Sequence, residues 1–261
     1  MYDYTEDVDC RYEGIAALSP LLTTVTLDLG DNTRWIIDYE GRTYFFGGRY
    51  AKSLLAFGTI SSAYDLGVGT LPGQPTVYKD GIYLPRITSS TGAEANAWVF
   101  RLPAGLTRLD GTAGTTTTAA RAFCKLMDEL AMAGATNQLK KIAGDPATGD
   151  TWSGPTYVGD SNQYINSLAA IDFNLYAGKA NGLFTADMDG DTPNVLPNME
   201  AFGADGAYGS APQVWNGHNI MAWSGNIWYP YLLGLIAYNP GGAEEIRPVE
   251  HPLAFNEVTG N

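Results

Sequence analysis

Charge is scarce in this chain, and what there is leans one way. Only 16% of the 261 residues are charged, and 28 acidic residues against 15 Lys and Arg leave a net charge of −13. A surface this acidic repels phosphate backbones and anionic headgroups, so neither nucleic acid nor membrane insertion is expected. Histidine is scarcer still: His218 and His251 are the only two. Any Ser-His-Asp or Cys-His site would need one of them, and His218 sits in the turn-like run Trp215-Asn216-Gly217-His218-Asn219. The two cysteines, Cys10 and Cys124, have no zinc-knuckle or redox spacing; they are two free thiols or one long-range bridge. The chain has no Gly-x-Ser-x-Gly elbow, no His-Glu-x-x-His pair and no phosphate-binding Gly-rich loop. No run reaches the roughly 18 apolar residues of a membrane-spanning helix. The most apolar stretch, from Ile227 to Tyr238, is interrupted by Pro230 and Gly234. The opening Met-Tyr-Asp-Tyr-Thr-Glu-Asp has no secretory-signal character.

What the chain does have is turn formers and aromatics: 31 Gly, 14 Pro and 16 Tyr, with 45% hydrophobic residues. That composition points to an all-β protein with ample core. A repeat organises it. Met132-Ala133-Gly134-Ala135-Thr136-Asn137-Gln138-Leu139 lies over Tyr176-Ala177-Gly178-Lys179-Ala180-Asn181-Gly182-Leu183, and Trp228 to Leu235 keeps the same spacing. Each unit reads as a hairpin followed by a strand led by Leu, at Leu54, Leu106, Leu139, Leu183 and Leu235. The first two hairpins turn at Glu40-Gly41 and at Asp80-Gly81, dipeptides that tolerate positive φ. The stretch from Ala119 to Ala133 has helix-forming composition, but its register with the next repeat favours strands. The irregular spacing after Leu54 is assigned to an insertion from Ile87 to Ala104.

Repeats of about 40–50 residues with several short strands are the signature of propeller blades. A small sheet with two apolar faces buries both only between neighbours. The expectation is a single β-propeller domain over residues 1–261, alone or within a larger array. It has five blades, with six as the alternative, and hairpins near 35–58, 76–111, 123–152, 168–192 and 219–246.

Few residues invite a chemical role. Asp187, Asp189 and Asp191 alternate as Ca²⁺ ligands do, but Thr192 stands where an EF-hand needs Gly and Asn198 where it needs Glu. The run falls where the repeat predicts a turn, so the turn reading is preferred; Ca²⁺ is the one cofactor the chain suggests. Tyr44, Tyr83, Tyr176, Trp228 and Tyr229 occupy matching second strands; they are assigned to packing between blades ahead of sugar stacking. No pair of the many carboxylates stands out as glycosidase machinery, and the arginines are scattered.

Two resemblances follow from these residues. Asp145-Pro146-Ala147-Thr148-Gly149-Asp150-Thr151-Trp152 resembles the Asp-box turn of sialidase-like propellers, Ser-x-Asp-x-Gly-x-Thr-Trp, at Gly149, Thr151 and Trp152; Ala147 replaces the defining Asp. Gly234-Leu235-Ile236-Ala237-Tyr238-Asn239-Pro240-Gly241-Gly242, echoed from Gly105 and Gly182, resembles blade endings of propeller-like proteins in tailed-bacteriophage particles. That resemblance implies a non-enzymatic structural or attachment protein located in the virion. Its implied partners are other virion proteins, further copies of itself or a host-surface glycan. The alternative is an extracellular, secreted carbohydrate-binding or glycosidase-like propeller.

Overall fold

A strand whose successive side chains are buried must be covered on both faces. Gly81–Thr88 is such a strand: seven of its eight residues are buried. Its alternation sends Ile82 and Leu84 to one neighbouring sheet and Tyr83 to the other. The same division recurs in Ala122–Leu126, where Phe123 faces back and Ala122, Cys124 and Leu126 face forward. In Ile165–Ile171, Leu168 faces back and Ala169 forward. The result is a row of antiparallel sheets whose hydrophobic cores lie between them.

The computed structural model describes residues 8–9, 17–18, 27–31, 33–54, 59–89, 93–101, 105–108, 119–146, 151–159, 161–179, 182–186, 220–231, 234–240 and 247–248. Five sheets form a five-bladed β-propeller, and a two-stranded ribbon, Val8–Asp9 with Ala17–Leu18, stands beside them. Blade 1 runs Trp35–Tyr39, Arg42–Phe46, Tyr50–Leu54 and Tyr64–Asp65. Blade 2 begins with a bent inner strand, Thr70–Pro72 and Thr76–Tyr78, both paired to Gly81–Thr88; Glu94–Arg101 and Gly105–Arg108 follow. Ala119–Ala120 adds a further short pairing to Glu94–Arg101. Blade 3 is Ala122–Leu126, Glu129–Ala133, Gln138–Ile142 and Thr156–Tyr157. Blade 4 is Ile165–Ile171, Asn174–Lys179 and Gly182–Ala186, and blade 5 is Met221–Trp223, Asn226–Tyr231, Gly234–Tyr238 and Arg247–Pro248.

Several sequence expectations change in detail. The stretch from Ala119 to Ala133 is strand, as the repeat required; its helix-like composition reflects burial on both faces, which erases the period-two pattern. The second hairpin turns at Lys79-Asp80, and Gly81 already belongs to the following strand. A side chain at Gly81 would press on Val99 and the Phe100 carbonyl, so the glycine answers a close approach of strands and not a turn. The supposed insertion from Ile87 to Ala104 contains the regular third strand of blade 2, Glu94–Arg101. Leu106 therefore sits in a fourth strand, and Leu54 closes a third strand instead of leading one. Third strands begin at Tyr50, Glu94, Gln138, Gly182 and Gly234, spacings of 44, 44, 44 and 52 residues.

The first turn residue of every blade's leading hairpin has positive φ: Glu40 at 50°, Lys79 at 47°, Met127 at 52°, Asp172 at 52° and Ser224 at 50°. Such turns match the right-handed twist of paired strands. Tyrosine hydroxyls then cross the seams. Tyr39 donates to the Asp80 carbonyl at 2.5 Å, and Tyr78 reaches the Ala143 and Gly144 carbonyls at 2.9 and 3.0 Å. Tyr229 donates to the Lys179 carbonyl at 2.9 Å. Of the repeated second-strand aromatics, Tyr44, Tyr83, Tyr176 and Tyr229 are buried, in agreement with the packing role expected for them. Trp228 is half-buried and donates its indole N–H to the Trp223 carbonyl of its own hairpin.

Candidate functional site

Alternation along one strand builds an open cleft. In Gln138–Ile142, positions 138, 140 and 142 share the face turned toward blade 2. Lys140 pairs across the sheet with Met132, and Met132 with Phe123, so the three side chains form a row on that face. Trp152 lies over Phe123, with rings 10° from parallel and centroids 6.3 Å apart. Between this row and blade 2 is a cleft of about 390 Å³ lined by Glu94, Met132, Gln138, Lys140, Thr151 and Trp152, among others. Glu94 opens the third strand of blade 2, and its Oε1 accepts the Thr136 N–H at 3.0 Å, which draws the carboxylate toward the 134–137 loop. Among the described residues no hydrogen bond or ion pair engages the Lys140 ammonium. Its neighbour Lys141, on the other face, pairs with Glu129 at 3.5 Å.

A second polar cluster lies at the same seam, nearer the leading hairpins. Tyr83 donates to Asp145 Oδ1 at 2.6 Å, and Arg101 donates through Nη2 to the Tyr83 oxygen at 2.9 Å and to Asp145 Oδ2 at 2.5 Å. The Arg101 Nε reaches Asp80 at 2.9 Å. Burial raises the Tyr83 hydroxyl far above its usual range, and the hydrogen bond and charge of Asp145 add to it. The tyrosine is therefore held protonated, the reverse of an activated phenolate. Asp145 is the first residue of the Asp-box-like segment and Trp152 its last. Both turn toward blade 2 as packing and clasp groups, while residues 147–150 lie outside the described residues.

Other sequence candidates separate clearly. Asp187, Asp189 and Asp191 lie outside the described residues, as do His218, His251 and Cys10. Among the described residues no group of three or more His, Cys, Asp or Glu is placed to hold a metal ion. Cys124 is a buried free thiol whose pKa is pushed up to about 12 by desolvation. A thiol reagent at pH 8 should modify it at least about a hundredfold more slowly in the native protein than in urea. The raised pKa also carries a sign. The folded state holds the proton longer than the unfolded one, so this stabilisation is complete below the ordinary thiol range near pH 8.5 and fades from there toward pH 12. Rapid native labelling, or stability that rises across that window and falls in a Cys124→Ala variant, would overturn the assignment.

Sequence reasoning missed the Glu94–Lys140 cleft. Its lining comes from two blades and a connector, and no motif links the three; the only signal was Trp152, already noted in the Asp-box-like run.

Arg86 is a different kind of buried cation. It is 1% exposed at the seam of blades 1 and 2, and its guanidinium donates to Thr70 Oγ1 and to the Thr70 and Gly48 carbonyls. Desolvation lowers its pKa to about 10. On the surface beside it, Arg49 grips Asp65 through both carboxylate oxygens, and that bond, with the Gly67 N–H, holds the Asp65 pKa at about 2.

No family model and no curated protein sequence matches the chain. Solved structures do resemble it in fold. A catalytically inactive virginiamycin B lyase from Staphylococcus aureus with quinupristin superposes with a TM-score of 0.61 at 13% identity, over 88% of this chain and 74% of the lyase. The extracellular domain of a putative hybrid two-component system from B. thetaiotaomicron gives 0.61 at 14% identity, over 87% of this chain but only 29% of that one. A computationally designed protein gives 0.51 at 10% identity, over 84% and 62% of the two chains. These likenesses support the propeller fold; at such identities they carry no activity.

Proposed function

We propose that the protein is a non-enzymatic recognition propeller, a surface or tail component of a virus particle that binds partners instead of turning over a substrate. The observation that carries this reading is a set of exposed apolar tips. Strands alternate in direction, so all five leading hairpins lie on one face of the propeller. On that face blades 3, 4 and 5 present Met127, Phe173 and Trp223, exposed by 56%, 78% and 61%. The corresponding hairpins of blades 1 and 2 carry Glu40 and Lys79-Asp80. Large exposed apolar side chains in the leading hairpins of three consecutive blades make a contact surface of the kind that marks protein association. The particle assignment itself draws on the blade-ending resemblance. The polar groups agree with a binding role: Tyr83, Arg101 and Asp145 clasp two blades, and Glu94 is the one carboxylate among the cleft's lining residues, where glycoside hydrolysis calls for two.

Purified particles test the proposal. The protein should copurify with them, and a triple variant, Met127→Asn, Phe173→Ser and Trp223→Thr, should keep its melting temperature and lose association at least about tenfold. A protein absent from particles, or a triple variant that associates as before, would sink it. Hydrolysis of chromogenic glycosides would establish the secreted glycosidase-like alternative in its place.

A further inference from the structure

The cleft between blades 2 and 3 combines features that the packing of the propeller does not require. Its floor is a fixed aromatic plane, because Trp152 is stacked on buried Phe123. One wall holds the Lys140 ammonium, which no described carboxylate neutralises although the molecule carries a net charge of −13. In such a background a half-buried lysine whose ammonium has no partner among the described residues is conspicuous, since Lys141 beside it pairs with Glu129. The nearest cleft carboxylate, Glu94, is turned aside by the Thr136 N–H. Gln138 and Thr151 add an amide and a hydroxyl to the lining. The volume, about 390 Å³, lies within the range of about 300–1,000 Å³ typical of small-ligand sites.

We propose that this cleft binds a carboxylate-bearing saccharide of the uronic-acid class. The flat C–H face of the sugar ring lies on Trp152, and its carboxylate pairs with Lys140. Ring hydroxyls exchange hydrogen bonds with Gln138, Thr151 and the second oxygen of Glu94. The charge balance selects this ligand. One cation matches one negative charge, whereas a phosphate bearing two would meet the Glu94 carboxylate with too little to offset it. An amino sugar would set its ammonium against Lys140. The inference rests on the recognition reading above and supplies its glycan partner.

The experiment titrates the full chain with a glucuronate-containing disaccharide, with maltose and with glucosamine, following tryptophan fluorescence and heat. The uronate is expected to bind at least about tenfold more tightly than either other sugar, and Lys140→Gln to lose about that factor at an unchanged melting temperature. Gly134 offers a second variant. A Cβ there meets only ordinary contacts, at 3.8 Å from Met132 and 3.9–4.0 Å from Gln138, so Gly134→Ala adds a methyl group to the cleft lining without a clash and should weaken binding. Equal affinity for maltose, no binding of any sugar, or uronate binding untouched by Lys140→Gln would each overturn the proposal. Particle association is measured in parallel. A chain that rides on particles yet ignores uronate removes this inference alone; one that binds uronate but is absent from particles removes the particle assignment and leaves the cleft.

Discussion

Replacing Gly73 by alanine is expected to destabilise the protein by about 3 kcal/mol or more, a fall of roughly 10 °C in melting temperature. Gly73 sits at the bend of blade 2's inner strand, where its N–H donates to the Pro85 carbonyl at 2.9 Å. A Cβ placed on it would lie 1.9 Å from the Arg121 carbonyl oxygen and 2.9 Å from the Arg121 carbonyl carbon. Those are backbone atoms, held because Arg121 donates its N–H to Ala133 and accepts one from Gln74. No flexible side chain can yield, so either the bend or the start of blade 3 must move. Gly154→Ala is the matched control, since nothing lies within 4 Å of its new methyl group. Thermal and urea unfolding of both variants decide the matter. A Gly73→Ala protein as stable as the control would show that the two chain segments part easily.

The adjacent residue gives the second large effect. Gln74 behaves at both levels as a strand-pairing group. Its main chain donates to Arg121 and accepts from Phe123, at 3.1 and 2.9 Å, in a parallel bridge opposite Ala122. Its side-chain amide repeats the pattern on blade 4, donating through Nε2 to the Leu168 carbonyl at 2.6 Å and accepting the Leu168 N–H at Oε1 at 2.7 Å. Gln74→Leu leaves two backbone groups of a fully buried residue without partners, at about 1–3 kcal/mol each, so a loss of about 3 kcal/mol is expected. Gln74→Glu provides a pH signature. An ionised carboxylate still accepts the Leu168 N–H but faces the Leu168 carbonyl with no proton to give, so the folded state favours the neutral acid. Its folded pKa is then raised, and stability should be poorest at neutral pH and recover as pH falls through that raised pKa. If Gln74→Leu costs less than about 1 kcal/mol, or the Glu variant shows no gain on acidification, the amide is ornamental.

The propeller was legible because its repeat is anchored in strand length and turn chemistry. The 44-residue offset between Met132 and Tyr176 is the true blade period, and it recurs in the third-strand starts. What blurred it was the choice of Leu as marker. The leading Leu falls in the third strands of blades 3 to 5, but in a fourth strand at Leu106 and at a strand end at Leu54. Asp80-Gly81 misled for a related reason: that glycine yields room to Val99 and Phe100, and the neighbouring Lys79 takes the positive φ. The cleft was not legible at all. Lys140 and Lys141 are indistinguishable in sequence, and only the pleat places one opposite Met132 and the other beside Glu129.

The reach of Gln74 bears on how the molecule comes apart. Arrays of repeats usually unfold as a chain of nearest-neighbour couplings, and any interior unit is able to open if its two interfaces give way. Here blade 2 holds blade 4 directly across the inner strand of blade 3. Opening blade 3 alone would have to proceed beneath a clamp that does not belong to it. Blades 2, 3 and 4 therefore behave as one cooperative unit, and fraying is left to blades 1 and 5. Blade 5 carries the exposed Trp223 tip and blade 1 the charged Glu40 tip, so local opening is expected first in these two blades while the three-blade block, with its clasp and cleft, stays intact.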